Sequence, residues 1–324
     1  MRTDEQKRSL RGSLLLLLGA VIWGAAFVAQ RMGMDHVSPF TFTGIRMLLA
    51  GLVMLPVIAV RDRKAAGKWE KEKKTGSGEQ LKAGLICGTM LFAATSLQQA
   101  GLVYTTAGKA GFITALYVVL VPVAAWILFR NNPGKVIWIS VITAVAALYL
   151  LCVAGGSFVL QTGDAMMLGC AVCFTFQILA VDRFAPRVDP LKLSCTQFMV
   201  TGILGMIFAL ATETIDPEGI REAVIPILYT GILSGAVGYT LQVIGQRDTD
   251  PTVASLIMCL ESVFATLTGA LVLGERMSAK ESAGCALMFA AVIIAQLSPL
   301  ISERIGRRRT GTTASSRQGG LSGR

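Results

Sequence analysis

LQQAGLVYTTAGKAGFITALYVVLVP, Leu97 to Pro122, returns 144 positions later as LQVIGQRDTDPTVASLIMCLESVFA, Leu241 to Ala265. Without a gap, Leu97-Gln98 meets Leu241-Gln242, Gly101 meets Gly245, Thr105 meets Thr249 and Ala110 meets Ala254. Ile113, Leu116 and Val119 fall on Ile257, Leu260 and Val263, and Tyr117 falls on Glu261. Small and apolar matches arise between any two membrane helices. The repeated Leu-Gln and the unbroken register across a loop are harder to obtain by composition, so the stretch reads as part of a duplicated unit. Further matches extend it. Leu18-Gly19-Ala20 aligns with Leu168-Gly169-Cys170 at a shift of 150, and Ser38-Pro39 with Asp189-Pro190 and Arg46 with Gln197 at 151.

Composition says what the unit is made for. The 324 residues are 53% hydrophobic and only 15% charged, and the apolar residues run on in long blocks rather than alternating. Blocks of about 20 residues with few charges have the length that crosses a bilayer core as helix. The 34 glycines suit helices that approach closely where no hydrophobic force drives them together. Ten spans are expected, over 13–31, 40–60, 82–103, 106–129, 136–155, 163–182, 191–211, 223–246, 251–273 and 281–300. The first resembles a signal peptide, but it lacks a small-x-small cleavage pattern and further spans follow it. All seven cysteines sit in apolar runs, and Cys170-x-x-Cys173 is far in sequence from His36, the only histidine. These are expected as small apolar packing, with no metal, redox site or cofactor.

Charge sets the orientation. With the N-terminus inside, 24 of the 30 Lys and Arg residues fall on the inner side and only Arg31, Arg221, Arg276 and Lys280 on the outer side. The acidic group Glu213, Asp216, Glu218 and Glu222 is also outer. Both termini are therefore expected in the cytoplasm of a cell (inner) membrane. The basic loop 61–80 and the tail from residue 301 read as disordered segments facing anionic lipid. Nothing resembling a folded nucleic-acid module accompanies them, so no nucleic-acid partner is expected. Five spans per half is an odd number, so the second half enters the bilayer upside down. The expected fold is an all-α integral membrane protein of ten transmembrane helices in two inverted five-helix repeats. Residues 1–11 form a cytoplasmic leader, 12–156 the first repeat, 163–300 the second and 301–324 the tail. In that architecture a substrate site lies near the midplane between the halves.

Polar side chains within the spans are the candidates for that site, because they are costly there. Glu261 lies roughly 15 Å from the inner face and Tyr117 roughly 16 Å from the outer one, so the inverted duplication puts them at one central depth. The alternative for Glu261 is a carboxylate tied up between helices. Arg46 falls roughly 9–10 Å below the outer end of its span, and Lys109 only about 5 Å, where snorkelling competes with a cavity position. Gln98 and Gln99 sit near the outer end of the third span, and the counterparts Gln197 and Gln242 near the inner ends of theirs. Trp23 and Phe27 share a face of the first span, and Gln177 aligns with Phe27; they form either an aromatic wall or ordinary packing. Trp126 and Trp138 flank a cytoplasmic loop as interface anchors. Pro122 and Pro226 are either hinges or packing kinks, and the pairs Gly84/Gly88 and Gly231/Gly235 mark close helix contacts.

The chain resembles the EamA family of the drug/metabolite transporter superfamily over residues 12–300. The residues that carry the resemblance are Val21-Ile22-Trp23-Gly24, Pro39-Phe40-Thr41 followed by Arg46, TTAGKAGFITALYVVLVP, and Leu273-Gly274-Glu275. The first half departs from the repeated L-G-E signature, with Arg130-Asn131-Asn132 after Leu128-Phe129. The resemblance implies a ten-helix carrier of small metabolites and leaves the solute open. The cations of the outer half and the central carboxylate fit a small polar or zwitterionic, amino-acid-like solute. A channel, a non-transporting scaffold or a membrane-embedded enzyme is the competing class. The enzyme lacks paired acids or a Cys/His set, and no phosphate-cradling glycine loop is present for ATP hydrolysis.

Overall fold

Wherever the apolar blocks run, the backbone has no water to bond, and it closes its hydrogen bonds on itself as helix. The computed structural model describes residues 2–65, 76–104, 107–130, 132–152, 162–273, 278–280 and 282–298. In chain order the helices are α1 (Arg2–Gly33), α2 (Pro39–Ala65), α3 (Ser77–Tyr104), α4 (Ala107–Ala115), α5 (Tyr117–Phe129), α6 (Lys135–Cys152), α7 (Thr162–Phe184) and α8 (Pro190–Thr212). There follow the short α9 (Pro217–Glu222) and α10 (Val224–Leu228), a π-helix over Tyr229–Tyr239, α11 (Thr240–Gln246), α12 (Pro251–Met258), α13 (Leu260–Leu273) and α14 (Ser282–Ser298).

Seven helical runs among the described residues are long and apolar enough to cross a membrane: 7–33, 39–64, 77–104, 162–184, 190–212, 224–246 and 251–268. Three shorter apolar helices, Ile113–Phe129, Lys135–Leu150 and Ser282–Ser298, accompany them. Large apolar side chains such as Leu210, Ile225 and Leu271 face outward, 72–85% exposed, the arrangement of a protein whose surrounding solvent is lipid. Asp-Pro pairs start three of the helices. Asp189, Asp216 and Asp250 each accept a hydrogen bond from a backbone N–H of the first turn, and the following proline occupies a position whose N–H needs no partner.

Several boundaries differ from the sequence expectation. The basic leader is not separate from the first span: Arg2 to Gly33 is one helix. Helix α2 continues through the first charged residues of the basic loop to Ala65. The fourth and ninth spans are each divided, at Leu116 and at Cys259, where Val119 N bonds Leu116 O at 3.0 Å and Ser262 N bonds Cys259 O at 3.1 Å. These three-residue bonds tighten the helix for one turn. Pro122 lies inside α5, six residues beyond the division, and Pro226 lies inside α10 just before the π-helix. Residues 66–75 of the basic loop, the Gly274-Glu275 of the family-like signature and the tail from 301 lie outside the described residues.

Glycines set how closely the helices pack. A Cβ on Gly205 would stand 2.8 Å from the Gly44 Cα, Gly51 meets Met199, and Gly202 meets Leu48. Contacts that advance along α2 retreat along α8, so the two helices run antiparallel. Gly101 against Gly163 and Leu97 against Gly169 make α3 and α7 antiparallel as well, and Gly12 against Gly245 with Gly19 against Gly238 do the same for α1 and the run ending in α11. The first glycine pair read as a contact, Gly84 and Gly88, lies against Thr196 and Val200 of α8. The second, Gly231 and Gly235, lies against Leu49 and Ala50 of α2. Polar contacts hold the α2–α8 pair at its two ends. The Glu213 carboxylate accepts from Phe40 N and Thr41 N, both at 2.8 Å, at the start of α2. At the other end Arg61 bonds Asp189 at 2.8 Å, and Lys192 reaches Asp62 at 3.1 Å.

Candidate functional site

Where α1, α2, α3, α5, α7 and the run from the π-helix to α13 converge, they leave a partly open cavity. Its wall carries Trp23, Phe27 and Gln30 from α1, Arg46 from α2, Gln98 from α3 and Tyr117 from α5. Phe174 and Ile178 come from α7, Ser234 and Tyr239 from the π-helix, Gln242 from α11, Met258 from α12 and Glu261 from α13. The floor of this site is the contact between the two divided helices. Tyr117 is the first residue after one division and Glu261 the second after the other, and the Tyr117 hydroxyl donates to Glu261 Oε1 at 3.1 Å. Beside them the Cys259 thiol approaches the Ala115 carbonyl oxygen at 3.4 Å. Both pairs are separated by 144 residues, the spacing of the duplicated stretch.

Aromatic and amide groups build the rest. The Trp23 indole N–H donates to the Ser234 carbonyl at 3.1 Å, and the Trp23 ring lies 4.9 Å from that of Tyr239 at 53°. The Tyr239 ring also meets Phe198 edge-on. The π-helix presents both Ser234 and Tyr239, and such wide turns concentrate at functional sites. Gln242 Nε2 donates to Gln177 Oε1 at 3.1 Å and to Gln246 Oε1 at 2.9 Å, while Gln246 Nε2 donates to the Ile178 carbonyl at 3.1 Å. Three glutamines thus form a buried amide chain leading away from the cavity.

Arg46 stands apart electrostatically. Its side chain is 1% exposed and its guanidinium sits over the Phe42 ring, 5.7 Å from the centroid. Neither Nε nor Nη2 has a hydrogen-bond partner among the described residues.

The structure therefore brings Trp23, Arg46, Gln98, Tyr117, Gln242 and Glu261 to one cavity. Gln177 lies behind the wall, bonded to Gln242, and Gln99 lies behind it on α3, donating to the Gln30 carbonyl at 3.3 Å. Gln197 is fully buried away from the cavity, with neither amide atom partnered among the described residues. Lys109 lies outside the residues whose side chains are described. Gln30, Phe174, Ile178, Ser234, Tyr239 and Met258 were not singled out by the sequence reading. Ser234 and Tyr239 offered a usable signal, a hydroxyl within a span; the repeat partner of Tyr239, Thr95, is of another kind, so the duplication does not mark it.

Comparison with known proteins agrees with this architecture. The model of the EamA-like transporter family matches twice, over residues 10–153 and 161–297. A protein of Archaeoglobus fulgidus named as an uncharacterized transporter is 31% identical over 293 residues, covering 90% of this chain and 88% of its own. The S-adenosylmethionine/S-adenosylhomocysteine transporter of Chlamydia muridarum is 23% identical over 81% of this chain and 84% of its own. A solved crystal structure superposes with a TM-score of 0.73 at 18% identity, over 91% of this chain and 98% of that one, and shares the fold. With multiple membrane-spanning helices and family matches in both halves, this chain belongs to the EamA-like transporter family and is a multi-pass membrane transporter.

Proposed function

We propose that the protein is a secondary carrier that moves a small polar or zwitterionic, amino-acid-like metabolite by alternating access, with the solute seated on Glu261. The single observation behind this reading is the Tyr117–Glu261 hydrogen bond between residues 144 positions apart. A residue and its repeat counterpart meet only near the axis that relates the two copies, and a site on that axis is the one place equally reachable from either side. The antiparallel sense of α2 and α8 supports two copies of opposite topology, ten helices in all, with residues 12–156 and 163–300 as the inverted repeats. In that frame the inner membrane is the location, both termini are cytoplasmic, and the basic segments face anionic lipid.

Each wall residue then has a role. Glu261 engages the ammonium group of the solute, and Tyr117 orients the carboxylate. Gln98, near one end, and Gln242, near the other, supply neutral polar contacts along the path, with Gln99 and Gln177 behind them and Lys109 and Gln197 further along it. Trp23 and Tyr239 cover the apolar part of the solute. S-adenosylmethionine and S-adenosylhomocysteine, the solutes in the name of the Chlamydia relative, both carry an amino-acid head, which is consistent with such a site.

Uptake of a radiolabelled amino-acid mixture into proteoliposomes tests the reading. Glu261→Gln keeps the shape and the bond from Tyr117 but removes the charge, and saturable uptake should fall at least about tenfold, the worth of one charged hydrogen bond. Unchanged uptake in the variant discards the carboxylate site, and flux that never saturates favours a channel.

A further inference from the structure

We infer that Arg46 is the anion receptor of the cavity: its guanidinium takes a two-oxygen anionic group of the solute side-on, through Nε and Nη2. This rests on the carrier reading and names the chemical class that the site selects.

The orphaned atoms carry the inference. Nε and the Nη2 nitrogen trans to the side-chain methylenes lie on the same edge of the guanidinium plane, with their N–H bonds directed the same way. That edge matches the spacing of the two oxygens of a carboxylate or of a phosphoryl group. Both of its nitrogens are buried without a partner among the described residues, on a side chain only 1% exposed that lines the cavity. A buried guanidinium with its fork unmet is costly in a bilayer, and a structure retains it when something else completes it. The site also holds it in place. Phe42 lies beneath the guanidinium. The Arg46 backbone is pressed against the π-helix, where a Cβ on Gly231 would come within 2.9 Å of the Arg46 carbonyl oxygen.

Position adds a direction. Arg46 comes from α2 and Glu261 from α13, and both face the same cavity with no ion pair between them among the described residues. A solute whose anionic and cationic groups are separated by a few bonds satisfies both at once. An amine without an anionic group leaves the Arg46 fork empty, and a simple anion leaves Glu261 unmatched. The site therefore discriminates by chemistry at both ends, and Arg46 decides whether a candidate is accepted at all. Lysine does not replace it, because a point charge lacks the planar two-donor edge.

The test measures thermal unfolding of the full-length protein in nanodiscs with three sets of probes: common L-amino acids, their methyl esters, and inorganic phosphate with methylphosphonate. The wild type should be stabilised by free acids and not by the esters, with an apparent affinity at least about tenfold weaker in Arg46→Lys, whose ligand-free Tm is unchanged. Stabilisation by phosphate and methylphosphonate alone, likewise lost in Arg46→Lys, keeps the fork as the receptor and assigns it a phosphoryl group. Equal stabilisation by acids and esters, equal stabilisation of wild type and Arg46→Lys, or none by any probe overturns the inference. Should Arg46→Lys not fold, phenylglyoxal modification of the wild type, read at Arg46 by mass spectrometry, supplies the contrast. Free acid or phosphate must slow it and ester must not, and indifference to all three overturns the inference. The transport assay fails separately: loss of uptake with anion binding intact removes the carrier mechanism and leaves the receptor.

Discussion

Glu261 accepts one hydrogen bond from a described side chain, the Tyr117 hydroxyl at 3.1 Å, and both residues are less than 8% exposed. Tyr117→Phe deletes only the donor. The carboxylate then stays buried with a lone pair unmet, which costs about 1.5–3 kcal/mol for a hydrogen bond to a charged group. The variant should unfold at lower temperature than the wild type, while Tyr117→Phe combined with Glu261→Gln should recover part of the loss, because the charge that needed the donor is gone. A double-variant loss equal to the sum of the losses of Tyr117→Phe and Glu261→Gln alone would show that the two side chains are not coupled. Gln197, the repeat counterpart of Arg46, makes the opposite case: both of its amide atoms are buried and unpartnered among the described residues. Gln197→Leu should raise thermal stability by about 1 kcal/mol or more, since an unmet buried amide is replaced by an apolar group of similar volume. If the amide serves a conformation open to the other side, uptake should fall in the same variant. A Tm that drops with Gln197→Leu would show that the amide is satisfied.

The packing of helices depends on surfaces rather than on single bonds, and glycine is where those surfaces touch. Between α2 and α8 the Gly205–Gly44 approach is backbone against backbone, so a side chain at 205 has no flexible neighbour to displace. Gly205→Leu should cost upwards of about 3 kcal/mol, at or beyond the upper end of ordinary overpacking. Gly111 in α4 has no described atom within 4 Å of its would-be Cβ. Gly111→Ala should therefore be neutral or stabilising by up to about 1 kcal/mol through helix propensity. Thermal unfolding of the two variants side by side separates close approach from a general intolerance of change at glycine. This is also the scale at which the sequence was most and least readable. Small residues at spacings of four showed where helices would touch, and Gly84, Gly88, Gly231 and Gly235 all lie against a neighbour. The divisions at Leu116 and Cys259 carried no mark, because neither residue breaks a helix by its own chemistry. Pro122, which does carry one, sits within α5. Proline records the loss of a local hydrogen bond, whereas these divisions arise where two helices cross, a property of the partner as much as of the chain. For the same reason the duplicated register exposed Tyr117 and Glu261, while Phe174, Ile178 and Met258 looked like any apolar residue in an apolar span. Burial against a cavity and burial against a helix use the same residue types.

At the scale of the molecule the question is which end faces the cell interior. The antiparallel α2–α8 pair puts Asp62, at the end of α2, and Glu218, beyond the end of α8, at opposite ends of the helix bundle. Asp62 lies among the basic residues Arg61 and Lys192, to both of which it is bonded. Glu218 lies among the acids Glu213, Asp216 and Glu222, in the segment between α8 and α10. Basic residues are retained on the cytoplasmic side during insertion, whereas acidic ones contribute little to orientation. The Asp62 end should therefore be inside. Single-cysteine variants at these two exposed positions report it directly, because five of the six described native cysteines are buried and contribute little background. In intact cells a membrane-impermeant maleimide should label Glu218→Cys and leave Asp62→Cys unlabelled until the membrane is permeabilised. The reverse pattern would turn the carrier over, placing Arg46, which lies towards the α2 N-terminus, in the inner half of the path. Labelling of both positions from outside would mean that α2 and α8 do not cross the bilayer as an antiparallel pair. The cavity that α2 helps to line would then have no membrane to alternate across.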